Sequence, residues 1–198
     1  MLQPSAQKEA TSKPQGLVIW LIGLSGSGKS TLSNLLNETL SREGLRTVML
    51  DGDLMRATIN SDLGYSDDDR RENIRRSAQI ARMFCQSDTV VIASFITPLR
   101  EFREMVRKII GKERLIDVYL RCDYDTCASR DVKGLYAKAQ KNAIQHFTGK
   151  DSVFEEPVQC ELTLNTADES PLQSLDKLIP RIKDRLSRLA RPISKPVP

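Results

Sequence analysis

The run Gly23-Leu24-Ser25-Gly26-Ser27-Gly28-Lys29-Ser30-Thr31 constrains this chain more than any other stretch. It satisfies the phosphate-loop pattern G-x-x-x-x-G-K-[ST] without a gap. Its flanks fit as well. Leu17-Val18-Ile19-Trp20-Leu21-Ile22 is a continuous apolar run, as expected of a parallel strand buried on both faces. Leu32, Leu35, Leu36 and Leu40 then recur at helical spacing, so the loop joins a strand to a helix N-terminus. Glycines at 23, 26 and 28 let successive N–H groups point into one concavity, where they and the helix dipole attract phosphate oxygens. A nucleoside triphosphate is therefore expected on Gly23, Ser25, Gly26, Ser27, Gly28, Lys29, Ser30 and Thr31. Lys29 supplies a cation for the β- and γ-phosphates, and the Ser30 hydroxyl is a ligand for Mg²⁺.

The chain of 198 residues suits one domain with a full core. Residues 1–15, polar with two prolines, read as a disordered tail, 16–190 as the folded domain and 191–198 as a C-terminal tail. The net charge of +4 is small and its charges are interspersed, which gives no nucleic-acid footprint. The stretch from Pro171 carries seven Lys/Arg against two Asp, a pattern read as the solvated face of a terminal helix. Four cysteines without C-x-x-C spacing and a single histidine argue against structural zinc and suit a reducing compartment. No apolar run approaches membrane-spanning length and no signal peptide is evident, so a cytoplasmic protein is expected.

Further along, Thr47–Leu50 reads as a second strand running into Asp51-Gly52-Asp53, two carboxylates where ligands bind in open α/β sheets. Ser66 and Asp69 form a capping-box-like start to a helix over Asp67–Gln86, with Ile74, Ala78, Ala81 and Cys85 as its apolar stripe. Arg70, Asn73 and Ser77 share a neighbouring face of that helix. By spacing alone this is equally an anion grip or an ordinary charged surface. Thr89–Ala93, Leu115–Leu120 and Glu161–Leu164 complete five strands, with helices over Leu99–Ile110, around Asp125–Arg130 and at the C-terminus, where Pro180 predicts a kink or a fresh start. The polar stretch from Asp131 to Asp151 reads as a lid. The fold expected is α/β: a parallel five-stranded sheet of P-loop type with helices on both faces. No aspartate closes the third strand and no N-K-x-D segment occurs, so a GTPase is disfavoured. A small-molecule kinase fits better.

Ordered segments now identify a resemblance. Gly23–Thr31, Asp51-Gly-Asp53 with Arg56, Asp62-Leu-Gly-Tyr-Ser66, Arg70–Arg76, Ser94-Phe-Ile-Thr-Pro98, Arg130–Tyr136 and Phe147-Thr-Gly149 together resemble the adenylyl-sulfate kinase family, from Leu17 to about Asp168. The resemblance implies transfer of phosphate from MgATP to the 3′-hydroxyl of adenylyl sulfate. By position it implies that Asp53, with Lys29 and Thr97, serves catalysis, and that Asp53 helps Ser30 hold Mg²⁺ through water. It implies that Arg56, Arg70 and Asn73 grip the phosphosulfate. Tyr65 and Phe147 would stack the acceptor adenine, with Ile96, Thr97 and Lys133 completing its pocket. It also implies a homodimer and an ATP sulfurylase partner. The departures sit on the acceptor side: Leu54 stands where the family usually has asparagine, and Thr97, Leu99, Ala143 and His146 also differ. Two alternatives stay open, a kinase of this fold for another nucleotide-linked anion and a nucleotide-dependent binding module.

Overall fold

The computed structural model describes residues 16–132, 134–140, 147–150 and 152–190. The two expected tails, Lys133, Ala143 and His146 lie outside the described residues. Five strands, β1 (Leu17–Ile22), β2 (Thr47–Asp51), β3 (Val90–Phe95), β4 (Leu115–Arg121) and β5 (Leu162–Asn165), form one sheet in the order β2-β3-β1-β4-β5. Every pairing is parallel, as the alternation of strand and helix along the chain predicts.

β1 is central and wholly buried, which explains why it reads as an unbroken apolar run. The period-two rule still divides it. Val18, Trp20 and Ile22 face α3 (Asp67–Gln86) and α4 (Arg100–Ile110), while Leu17, Ile19 and Leu21 face α1 (Lys29–Arg42) and α7 (Pro171–Ala190). Helices therefore cover both faces, one core on each.

The local signals behave as chemistry dictates. Ser66 caps α3, its hydroxyl accepting from Asp69 N–H at 3.2 Å and donating to the Asp69 carboxylate at 2.7 Å. α1 ends through Gly44 at φ +81, with Leu45 N–H donating to Leu40 C=O at 3.1 Å. Three expectations change. α7 runs unbroken through Pro180, because its packed face of Leu175, Leu178, Ile182 and Leu186 outweighs one missing hydrogen bond. β3 extends to Phe95, two residues beyond the expected end at Ala93, held by Ser94 and Phe95 in register with β1. Asp51-Gly52-Asp53 is more than the end of β2. It opens a short helix, α2 (Gly52–Ala57), capped by the Asp51 carboxylate, which accepts from Asp53 N–H at 2.9 Å and Leu54 N–H at 3.3 Å.

α5 (Tyr124–Arg130) and α6 (Leu135–Gln140) follow β4. With Leu24, Cys122 and Phe147 they build a third, smaller apolar cluster against the phosphate loop. The described part of the stretch read as a lid thus has packing of its own, through Tyr136, Ala139 and Phe147.

Candidate active site

The phosphate loop lies between β1 and α1. Gly28 precedes α1 in the left-handed region, at φ 93 and ψ 8. The first bond of the helix ladder runs from Leu32 N–H to Gly28 C=O at 3.0 Å. The N–H groups of Ser30 and Thr31 stand ahead of it, which makes this end of α1 a site for an anion. Gly26 is a point at which the loop admits no side chain. Its φ is +78, and a Cβ there would lie 2.8 Å from the Cys127 carbonyl oxygen. Lys29 Nζ donates to the carbonyls of Gly23 at 2.8 Å and Leu24 at 2.6 Å, so the ammonium is tethered to the loop itself.

The loop is braced from behind by residues the sequence left without a role. Tyr136 O–H donates to Ser25 C=O at 2.8 Å, and Thr166 O–H to Ser27 C=O at 2.9 Å. Arg130 Nη2 donates to Thr166 C=O at 2.7 Å, tying the end of α5 to the same brace. Burial raises the Tyr136 hydroxyl pKa well above its ordinary value, so at neutral pH it remains a donor. Arg130 and Tyr136 fall in a segment that carries the family resemblance, yet no spacing rule connects them to Ser25 or Ser27. The Tyr136–Ser25 and Thr166–Ser27 contacts each bridge more than 100 residues.

The neighbouring strands bring further groups to the same edge of the sheet. Asp51 ends β2 opposite Ser94, and Ser94 Oγ lies 2.5 Å from Ser33 Oγ of α1. Of the two carboxylates after β2, Asp51 is occupied as a helix cap, while Asp53 is exposed in the first turn of α2. After β3 the chain turns through Ile96, Thr97 and Pro98. Thr97 is a β-branched residue held at φ 46, a strained conformation that persists only where the surroundings enforce it. They do so twice here. Trp20 Nε1 donates to Thr97 Oγ1 at 2.9 Å, and Arg103 Nη1 donates to the carbonyls of Thr97 and Pro98 at 3.1 and 3.0 Å. With its hydroxyl accepting from Trp20 and only 1% of its surface exposed, the Thr97 side chain also serves the scaffold of the turn.

A second cationic cluster forms around α3. Arg70, Asn73 and Ser77 are all buried, so this face is not an ordinary charged surface. Arg70 Nε donates to Tyr65 C=O at 2.9 Å and Nη1 to Thr148 Oγ1 at 2.6 Å, which joins the Tyr65 segment to the residue beside Phe147. Arg56 bonds Gly64 C=O, and its guanidinium carbon lies 4.6 Å from the centre of the Tyr65 ring. Burial pulls the pKa of both arginines down, and the Arg56 charge lowers that of Arg70 further. Both remain charged, and an anion beside them would offset their repulsion. Tyr65 is largely exposed. Phe147 is buried edge-on to Tyr136, with ring centres 4.9 Å apart. Ile96 is half-buried, and Lys133 lies outside the described residues.

A glycine-rich loop after a central parallel strand, with a carboxylate beyond the adjoining strands and a second cation cluster nearby, defines a nucleotide-dependent phosphotransferase of the P-loop class. The family profile described as adenylylsulphate kinase matches residues 15–165, and the chain belongs to that family. It is 44% identical over 176 residues to a probable adenylyl-sulfate kinase of Bacillus subtilis, covering 89% of each chain. It is 46% identical over 171 residues to an adenylyl-sulfate kinase of Geotalea daltonii, covering 86% of this chain and 84% of that one. Among solved structures it is similar to the Mycobacterium tuberculosis APS kinase in complex with AMPPNP and APS. That match has a TM-score of 0.83 and 37% identity, over 86% of this chain and 99% of that one. Among the described residues no helix is long and apolar enough to cross a membrane.

Proposed function

We infer that this chain transfers the γ-phosphate of MgATP to the 3′-hydroxyl of adenylyl sulfate, giving 3′-phosphoadenylyl sulfate. The observation that carries this beyond nucleotide binding is the second anion site. Arg56, Arg70 and Asn73 gather on the α2–α3 side, apart from the phosphate loop assigned to the triphosphate. Two polyanionic substrates call for two such clusters.

The roles divide by position. Lys29 and the α1 N-terminus neutralise the β- and γ-phosphates. Asp53 orients the acceptor hydroxyl and takes its proton. Ser30 and Asp53 offer hard oxygen donors suited to Mg²⁺, which when bound offsets charge on the transferring phosphoryl group. Arg56, Arg70 and Asn73 hold the phosphosulfate. Tyr65 and Phe147, with the backbone of Ile96 and Thr97 and with Lys133, form the adenine pocket. Most of the rate enhancement then comes from positioning and charge, not from covalent chemistry. Family resemblance further supports a cytoplasmic homodimer and an ATP sulfurylase that supplies the acceptor. Light scattering of purified protein tests the first of these associations.

The deciding experiment measures ADP release from MgATP with and without adenylyl sulfate, beside an Asp53→Ala variant. Strong acceptor-dependent release that the variant lacks is the expected result. Equal release with and without the acceptor would refute the assignment. Leu54, 59% exposed beside Asp53 where the family usually has asparagine, favours a second reading in which the acceptor is another nucleotide-linked anion. A panel of such nucleotides in the same assay separates the two.

A further inference from the structure

The turn after β3 is fixed from two sides, by Trp20 and by Arg103. A separate segment, residues 152–157, fastens itself to that turn. Glu155 N–H donates to Pro98 C=O at 3.0 Å, and the Glu155 carboxylate accepts from Arg100 N–H, the first of α4. α4 has use for this partner. Its own N-cap is Leu99, whose side chain makes no capping bond, so a carboxylate 55 residues away supplies the acceptor and the negative charge. Burial pulls the Arg103 pKa down, and Glu155 is the charged neighbour that most opposes this. On either side of Glu155 the segment is packed. The ring of Phe154 has its centre 6.0 Å from that of Tyr119, and the Tyr119 hydroxyl donates to the Glu156 carboxylate at 3.0 Å.

The chain just before this anchor carries Phe147. Residues 147–152 close on themselves. Lys150 N–H and Ser152 N–H donate to Phe147 C=O at 3.1 and 3.2 Å, and Gly149 N–H donates to Ser152 C=O at 2.8 Å. Thr148 in this turn accepts from Arg70 at 2.6 Å. Only Val153 and Phe154 separate Ser152 from Glu155, a span of at most about 11 Å. A firm hold at Glu155 therefore limits where the Phe147 turn can sit. The Thr97–Pro98 turn is the fixed end of this connection and Phe147 the carried end. Both ends belong to groups assigned to the acceptor's adenine pocket. Without the anchor, ordering the Phe147 turn would be left to the moment of binding and would weaken it.

We propose that Glu155 is a positioning residue for the acceptor: it anchors the segment bearing Phe147 to the Thr97–Pro98 turn and so presets the spacing of the adenine pocket. This rests on the reading of Phe147, Ile96 and Thr97 as that pocket. Glu155 acts through Phe147 and not on the substrate itself. A carboxylate that only capped α4 would change stability and leave the acceptor KM alone.

The test is a double-mutant cycle on the full chain with Glu155→Ala, Phe147→Leu and the combined variant, with Glu155→Gln beside them. KM for adenylyl sulfate, KM for MgATP and kcat are read for each. Glu155 is exposed, so its replacement leaves no buried void. Glu155→Ala should raise the acceptor KM about three- to tenfold, the scale of a lost cap, with the KM for MgATP little changed. Glu155→Gln keeps an oxygen that can accept from Arg100 and should fall between alanine and the parent. Phe147→Leu keeps an apolar side chain in its cluster but removes the stacking face, and should raise the acceptor KM about fivefold or more. In the combined variant the Glu155 change should add less than about twofold, since the ring it places is gone. Binding of MgADP, measured by calorimetry, should match the parent in every variant. If Phe147→Leu does not fold, the KM split of Glu155→Ala and its recovery in Glu155→Gln decide the matter. Multiplying effects in the combined variant, equal rises in both KM values, or a glutamine variant as impaired as alanine would overturn the proposal. So would a silent Glu155→Ala beside an impaired Phe147→Leu, and that result would leave the adenine pocket standing. A silent Phe147→Leu would overturn the pocket and this inference together.

Discussion

Replacing Thr97 by valine removes one hydrogen bond and almost nothing else. The two side chains have the same shape and the same branching at Cβ, so the strain of holding φ at 46 is unchanged. What is lost is the acceptor for Trp20 Nε1, which lies 2.9 Å from the Thr97 hydroxyl. Trp20 is only 1% exposed and stacks on Phe95 with ring centres 4.8 Å apart, so it has no easy route to water. Leaving a buried donor unpaired costs about 1–3 kcal/mol. With a urea m-value of roughly 2 kcal/mol/M, the unfolding midpoint of Thr97→Val should fall by about 0.5–1.5 M. Thr97→Ser keeps the hydroxyl and should stay within about 0.5 kcal/mol of the parent. Trp20 is the single tryptophan, so its fluorescence follows unfolding and also reports on the indole's own surroundings in the folded state. The acceptor KM should rise with the loss, because Ile96 and Thr97 are assigned to the adenine pocket, while the KM for MgATP holds. Identical midpoints for the valine and serine variants would show that the indole bond does not support the turn, and the scaffold role given to Thr97 would be abandoned.

Gly26→Ala should weaken MgATP binding by about tenfold or more, since φ +78 disfavours any L side chain by about 1–2 kcal/mol and the new Cβ meets the Cys127 carbonyl at 2.8 Å. Titration calorimetry checks this, and unchanged affinity would contradict the close approach. The thiols should react unequally in the folded protein at mildly alkaline pH. Cys85, Cys122 and Cys127 are buried and Cys160 is partly exposed, so mass spectrometry after brief alkylation should find Cys160 modified first and all four only after unfolding. Burial, reinforced by Cys122, pushes the Cys127 thiol up to about 12 from an ordinary 9.0. Because its folded pKa is raised, its contribution to stability is complete below about pH 9 and is lost as pH rises towards about 12. A denaturation series over that window should show stability declining.

The parts of the molecule written in local pattern were legible before any coordinates. The phosphate loop could be read because its glycines, lysine and serine act at neighbouring positions, on backbone they themselves shape. The extent of α3 could be read because Ser66 and Asp69 close a capping box within one turn and the apolar stripe repeats every three to four residues. The strands declared themselves as short apolar runs, clearest in β1 and β3, and alternation with helices made the sheet parallel. α2 escaped notice because a six-residue helix has no period to show, and its start depends on how one carboxylate, Asp51, turns back on its own backbone.

Sequence by itself thus determined the class of fold, the nucleotide loop and, through resemblance, the family of the acceptor. Only the tertiary structure separated residues of the same chemical type by role. Asp51 is a cap where Asp53 is exposed, and the Thr97 hydroxyl accepts from Trp20 across the sheet. Tertiary packing also buried Arg70 and Asn73 while leaving Arg71 and Arg75 of the same helix in solvent, and it brought Tyr136, Thr166 and Glu155 to groups they do not neighbour in sequence. The physical reason is range. Propensity, capping and loop geometry are set by residues within a turn or two of one another. Whether a donor is already engaged, or a charge is buried, is decided by whatever distant segment packs against it.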